Sequence, residues 1–270
     1  MLGSEEPNEA AQPGYVELPL ESLDSARIEA AWRYEPVAAG TQRVLPDGRM
    51  DLLAHCAAQP DGKVDAVRLV IAGPADRPSL VPVRPGTILL GVRFQIGWGG
   101  AVLGVDPMAL CNRTLVGSRV ELLLAPLAQR VTRASSLDEA LAALRTVASA
   151  LAARTRVTEA HRRALGAIER MKALAQTGAA PQARAEWSSR TLRRDVAAAA
   201  GLPLRTLAGI LRFQRAMALL DGGAASLSEL AVAAGYADQA HMTRAFRRFG
   251  GFTPALPEPV PLVRLAPASR

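Results

Sequence analysis

The stretch that most constrains the fold is Ser226–Pro254, SLSELAVAAGYADQAHMTRAFRRFGGFTP. Ser226 and Glu229 form an S-x-x-E capping box ahead of Leu227, Leu230 and Ala231, which predicts a helix start. Ala231 and Gly235 stand four apart. The small residue lets a second helix come close, and the glycine accepts a turn conformation that other residues resist. Asp238 then serves as the N-cap of a second helix. Met242, Phe246 and Phe249 follow at spacings of four and three and make one buried stripe. Gly251 and Pro254 end it. The pattern is a helix-turn-helix inside an all-α domain.

The faces left over on that second helix are polar. Gln239, His241 and Thr243 lie near its start, and Arg244, Arg247 and Arg248 on other faces. Such a helix offers hydrogen-bonding side chains to base edges and arginines to phosphates. The charge distribution points the same way. Residues 1–154 hold 15 basic and 17 acidic residues, and residues 155–254 hold 15 basic and 7 acidic. A basic second part behind a near-neutral first part suggests a polyanionic partner. Charge alone is weaker, because 30 of the 32 basic residues are Arg, which a general compositional bias would also produce.

At this point the chain resembles the AraC/XylS family. The matching residues are Gly235-Tyr236, Asp238, His241-Met242, Arg244-Ala245-Phe246 and Gly251-Phe252-Thr253-Pro254. The preceding segment, Trp187-Ser188-Ser189-Arg190-Thr191-Leu192-Arg193-Arg194, is similar to the family's first recognition helix, with Ser188 as its N-cap. Leu204 to Leu220 reads as one helix, and Ile210-Leu211-Arg212-Phe213-Gln214-Arg215-Ala216 resembles the family's linker helix. The chain departs from the family where a Leu-Ala pair and a turn glycine usually precede the first recognition helix; Pro181, Gln182 and Glu186 stand there. The resemblance implies DNA contacts by Arg190, Arg193 and Arg194 in the first motif and by Gln239, Ala240, His241 and Arg244 in the second. Arg can grip guanine and Gln adenine with two bonds each, and Ala240 can touch only a thymine methyl. Arg247 and Arg248 fit phosphates better than bases. Tyr236, Phe246 and Phe249 read as core.

The first half is of another kind. Arg43-Val44-Leu45 meets the turn Pro46-Asp47-Gly48, Met50-Asp51-Leu52-Leu53 resumes, Val67–Ile71 stops at Gly73-Pro74, and Thr87–Phe94 follows Pro85-Gly86. Short apolar runs with such punctuation predict a β-rich sandwich or small barrel. Asp106-Pro107 reads as an N-cap with Pro at the first helical position. Ser136-Leu137-Asp138-Glu139 opens a helix to about Arg154, and 157–175 has the spacing of another. The expected class is therefore α+β: a β-rich N-terminal domain with following helices, then an all-α domain of two helix-turn-helix motifs joined by a linker helix. The expected bounds are a disordered 1–14, a sensor or dimerisation domain over 15–154, a DNA-binding domain over 155–256 and a disordered tail over 257–270. Within the DNA-binding domain, the first motif falls at about 160–200, the linker at 204–221 and the second motif at 226–250. Val44–Gly48, Ile71–Pro74 and Gly91–Phe94 resemble pieces of the N-terminal region in a subset of the family, where such a domain binds a small effector or mediates dimerisation.

Other classes find less support. Cys56 and Cys111 are the two cysteines, without the spacing of a zinc site or disulfide framework. His55, His161 and His241 lie at no ligand spacing. Asp47, Asp51, His55 and Cys56 are close in sequence but form no recognisable nucleophile elbow, and Asp47 is more simply the middle of a turn. Trp98, amid glycines, reads as either core or pocket lining. The start MLGSEEPNEA lacks a signal peptide's features, and Thr87–Val105 is too interrupted for a membrane helix. The expectation is a cytoplasmic, sequence-specific regulator that is not an enzyme, uses no cofactor or metal and avoids membranes. Its partner is double-stranded DNA, with RNA polymerase, a small-molecule effector and a second copy of the chain left open. The alternatives are a DNA-binding unit fused to an enzymatic N-terminal domain, and a helical protein-interaction module.

Overall fold

The computed structural model of the chain describes residues 14–20, 26–59, 61, 63–178, 189–222, 226–255 and 262–263. Strands come first: β1 (Tyr15–Leu18), β2 (Ile28–Tyr34), β3 (Gly40–Val44), β4 (Met50–Ala58), β5 (Val64–Ala72), β6 (Ser79–Val83) and β7 (Thr87–Phe94). A short helix α1 (Gly99–Leu103) and strand β8 (Thr114–Val116) follow, then α2 (Ser118–Leu123), α3 (Ala128–Thr132) and α4 (Leu137–Arg154). The C-terminal part is helical: α5 (Glu159–Thr177), α6 (Arg190–Ala200), α7 (Leu204–Asp221), α8 (Leu227–Ala233) and α9 (Gln239–Ala245). The α+β class expected from the sequence is the one observed.

One antiparallel sheet runs in the order β1-β2-β7-β4-β5-β8. Alternation sorts its side chains. Leu52, Ala54 and Cys56 of β4 stand opposite Val92, Leu90 and Ile88 of β7. All of them join a core with Leu137, Ala140, Leu144, Val147, Ala148 and Ala152 of α4. Burying each large aliphatic side chain contributes about 1.5–3 kcal/mol. This face is thus closed by helices. On the other side Tyr15, Trp32 and Tyr34 pack with Val83 of β6, which belongs to a small second sheet in the order β6-β3-β9. Strand β9 (Leu262–Val263) pairs parallel to β3, so two residues of the segment expected to be a disordered tail are in a strand.

Two local expectations need correction. Asp106-Pro107 opens no helix: the Asp106 carboxylate accepts from the Met108 N–H at 2.9 Å, and turns run on to Asn112. Backbone bonds from Asn112 to Pro74 and from Gly73 to Arg113 pin this segment against the end of β5. Tertiary pairing here overrides a local helix signal. The N-cap of α6 is Ser189, which accepts from the Leu192 N–H, and not Ser188. Ser188 lies outside the described residues, as do Pro181, Gln182, Glu186 and Trp187.

A second core joins α5 to α9, centred on Ile168, Val196, Leu207, Ile210, Phe213, Met242 and Phe246. It also takes in Leu45 and Ile96 from the β-rich part. The Pro46-Asp47-Gly48 turn docks on α7: Gln214 donates to the Pro46 carbonyl at 3.0 Å, and Leu207 lies against Gly48. Trp98 stacks obliquely on His161 of α5 and carries the Arg27 guanidinium on its ring.

Candidate nucleic-acid interface

The second helix-turn-helix forms as its spacing predicts. Ser226 caps α8 by accepting from the Glu229 N–H. Gly235 sits at φ +82°, in the left-handed region that favours glycine, and the Tyr236 N–H closes the turn onto the Ala231 carbonyl at 2.8 Å. Asp238 is extended and caps α9 by accepting from the His241 N–H at 2.6 Å. Beyond Ala245 the helix widens into a π turn over Phe246–Gly250, and Gly251 ends it in the left-handed conformation.

The inner stripe is buried. Phe246 meets Phe213 of α7 edge-on at 5.1 Å between ring centres, and Phe249 lies 5.9 Å from Phe213. Gly209 of α7 makes room for this: a Cβ there would stand 3.0 Å from the Phe249 ring. Gln239, Ala240, Arg244, Arg247 and Arg248 are exposed, and His241 and Thr243 are half-buried. Several of these already have contacts within the protein. Ser228 donates to the Gln239 amide oxygen at 3.2 Å, the Thr243 hydroxyl donates to the Gln239 carbonyl at 2.9 Å, and the His241 ring packs edge-on against Tyr236. Arg248 lies over the Phe249 ring at 4.9 Å.

In the first unit α6 exposes Arg190, Arg193 and Arg194 and buries Val196, Ala199 and Ala200. Asp195 is buried on the same helix and pairs with Arg163 of α5 at 2.8 Å, with Arg194 further off at 3.9 Å. Arg163 had no signal in the sequence, since its partner lies on another helix. Tyr236, in the turn ahead of α9, is buried, in keeping with its reading as core.

The β-rich part holds a buried charge cluster. Arg93 of β7 is fully buried and stands directly across the ladder from Asp51 of β4, at 3.4 Å. Glu17 and Asp47 lie 3.6 and 3.9 Å from the same guanidinium, Trp32 donates to Asp51 at 3.0 Å, and Arg49 pairs with Glu29 nearby. Burial pushes the Asp51 carboxyl up to about 6, against the opposing pull of Arg93. The folded chain therefore keeps a proton that the unfolded chain releases at lower pH. The stability from this proton is complete below about pH 4 and is lost as pH rises through about 6, on the order of 3 kcal/mol in all. Urea midpoints followed from pH 4 to 7 should show wild type losing ground to Asp51→Asn. A constant gap between the two would refute the assignment.

The thiols are not activated. Burial pushes Cys56 up to about 11 and also raises Cys111. Among the described residues there is no group of three or more His, Cys, Asp or Glu side chains that could hold a metal ion. Among them, too, no single helix is long and apolar enough to cross a membrane.

A basic, helical region built on a glycine-turned helix pair defines the class: a helix-turn-helix protein. Residues 182–256 match a helix-turn-helix domain family, and residues 18–116 match a domain of unknown function (DUF6597). The chain carries an AraC-type helix-turn-helix domain behind a separate N-terminal domain and is a DNA-binding transcription regulator. No curated protein matches it. Solved structures similar to it include ToxT from Vibrio cholerae O395, 12% identical over 90% of this chain and 96% of that one, with a TM-score of 0.38. Unsaturated fatty acid-bound ToxT from Vibrio cholerae strain SCE256 is 12% identical over 83% and 92%, with a TM-score of 0.37.

Proposed function

We propose that the chain reads two successive major-groove segments of double-stranded DNA, one with α6 and one with α9. The observation that carries this is the split character of α9, which buries Met242 while Gln239, Ala240 and Arg244 face outward. In this reading Arg190, Arg193 and Arg194 serve the first segment. Gln239, Ala240, His241, Thr243 and Arg244 serve the second, and Arg247 and Arg248 hold phosphates. Helix α7 has 18 residues, about 27 Å at 1.5 Å per residue, a spacer of the order of one DNA turn. Residues 155–256 then form the DNA-binding unit. Residues 15–154 form a non-enzymatic domain for a small effector or for pairing with a second copy, and the cytoplasm is where such a regulator meets its DNA. The effector part rests on family resemblance.

Gel shifts against a promoter-proximal library test the reading. A defined site at moderate salt is expected, and binding without sequence preference at every salt would overturn it. Arg244→Ala should cost about 1–3 kcal/mol at that site and relax specificity at one position. Arg247→Ala should instead lower the salt slope by about 1 with sequence preference intact. Equal slopes for wild type and Arg247→Ala would remove it from the phosphate set.

A further inference from the structure

We propose that Arg215 is a positioning residue that clasps the ends of α5 and α8 and so holds the two helix-turn-helix units in one fixed arrangement. The proposal rests on the two-segment reading above for its use, though its geometry stands apart from it. Arg215 projects from α7. One guanidinium nitrogen, Nη1, donates to the carbonyl of Gln176 at the end of α5, and Nε donates to the carbonyl of Ala233 at the end of α8, at 3.0 Å. Both acceptors belong to helix C-termini, whose last carbonyls lack partners within the helix and carry partial negative charge. A planar guanidinium can serve two such carbonyls in different directions at once, which an ammonium cannot do in fixed geometry.

The backbones beneath the clasp are in contact. Gly178 follows α5 at φ +70° and Gly235 follows α8 at φ +82°, and they sit back to back. A Cβ on Gly178 would lie 2.3 Å from the Ala233 carbonyl oxygen, and one on Gly235 would lie 3.1 Å from the Gly178 carbonyl oxygen. Arg212, one turn earlier on α7, lies over the Tyr236 ring at 5.5 Å, and that ring meets His241 of α9.

Each end of the clasp is tied to a recognition helix. Helix α5 holds α6 through the Arg163–Asp195 pair and through Ala164, Ala167 and Ile168, which share a core with Val196 and Ala199. Helix α8 holds α9 through the Gly235 turn and the Ser228–Gln239 bond. Arg215 therefore lies between the two reading heads without itself belonging to either. Linked binding modules gain by being held where both can engage at once, and a looser link loses part of that gain while each module keeps its own affinity.

The test uses the full chain with Cys111→Ser, and spin labels on Ala198→Cys of α6 and Val232→Cys of α8, both exposed. Without DNA, the parent chain should give one narrow distance distribution between the labels. Arg215→Ala should broaden it at least about twofold. In unlabelled protein Arg215→Ala should weaken binding to the full site about tenfold and to a half-site carrying only the second segment by less than about twofold. Arg215→Lys, which keeps the charge and one contact, should fall between and serves as the reading if Arg215→Ala does not fold. An unchanged distance distribution, or equal losses on full and half sites, would overturn the clasp. A wild-type chain with no preferred DNA site would instead overturn the regulatory reading, and the label distances would still decide the clasp.

Discussion

Replacing Phe213 by Ala should cost about 3–5 kcal/mol of stability and abolish site-specific DNA binding. Phe213 is fully buried in α7 and is the common surface for Phe246 and Phe249, which follow α9. Deleting the ring removes its own transfer energy and leaves a cavity that the two remaining rings cannot fill without moving. The edge-on pair with Phe246 adds about 0.5–1.5 kcal/mol beyond burial. The loss should appear first in the C-terminal core, since among the described residues the sheet core packed on α4 shares no buried side chain with it. Urea unfolding followed by amide exchange would show protection lost in α7 and α9 ahead of β4 and β7. Phe213→Leu, which keeps most of the volume, should retain binding. A loss under about 1 kcal/mol for Phe213→Ala would mean that these rings do not form the seat of α9.

Arg93→Met is the second large effect expected, about 3–5 kcal/mol, because it leaves buried carboxylates without their cation. The guanidinium is fully buried between Asp51, Asp47 and Glu17, and it offsets part of the cost of burying these carboxylates, a compensation that a methionine cannot supply. Adding Asp51→Asn to Arg93→Met should recover part of the loss, since the pair is then removed together and the Trp32 bond can persist. Strictly additive losses in this double-mutant cycle would refute the coupling. The cluster also has a mechanical position. Asp47 belongs to the turn whose neighbours Leu45, Pro46 and Gly48 touch the helical core, so its charge environment borders the surface that joins the two parts of the chain.

Much of this architecture was legible in local pattern. Strand β7 is bounded where Pro85-Gly86 starts it, helices α4 and α9 start at the Ser and Asp caps expected of them, and Met242, Phe246 and Phe249 are buried at their helical spacing. These features depend on residues three or four apart, or on alternation along one strand, and so appear in any window of sequence. The Asp106-Pro107 signal failed because hydrogen bonds from residues some forty positions away compete for the same backbone, and local propensity is the weaker of the two. The cap of α6 was misplaced by one because Ser188 and Ser189 offer the same chemistry, and only the observed helix start distinguishes them.

Local pattern was enough to read a β-rich part followed by a helix-turn-helix domain, because caps, turn glycines and apolar spacing are short-range properties; its AraC type came from resemblance to known sequences. Long-range packing sets Arg93 against Asp51, pairs Asp195 with Arg163 and brings Arg215 to two helix ends at once. Each of these is a charge meeting a partner brought in by chain topology, and an arginine reads the same in sequence whether it faces solvent, a carboxylate or a helix terminus.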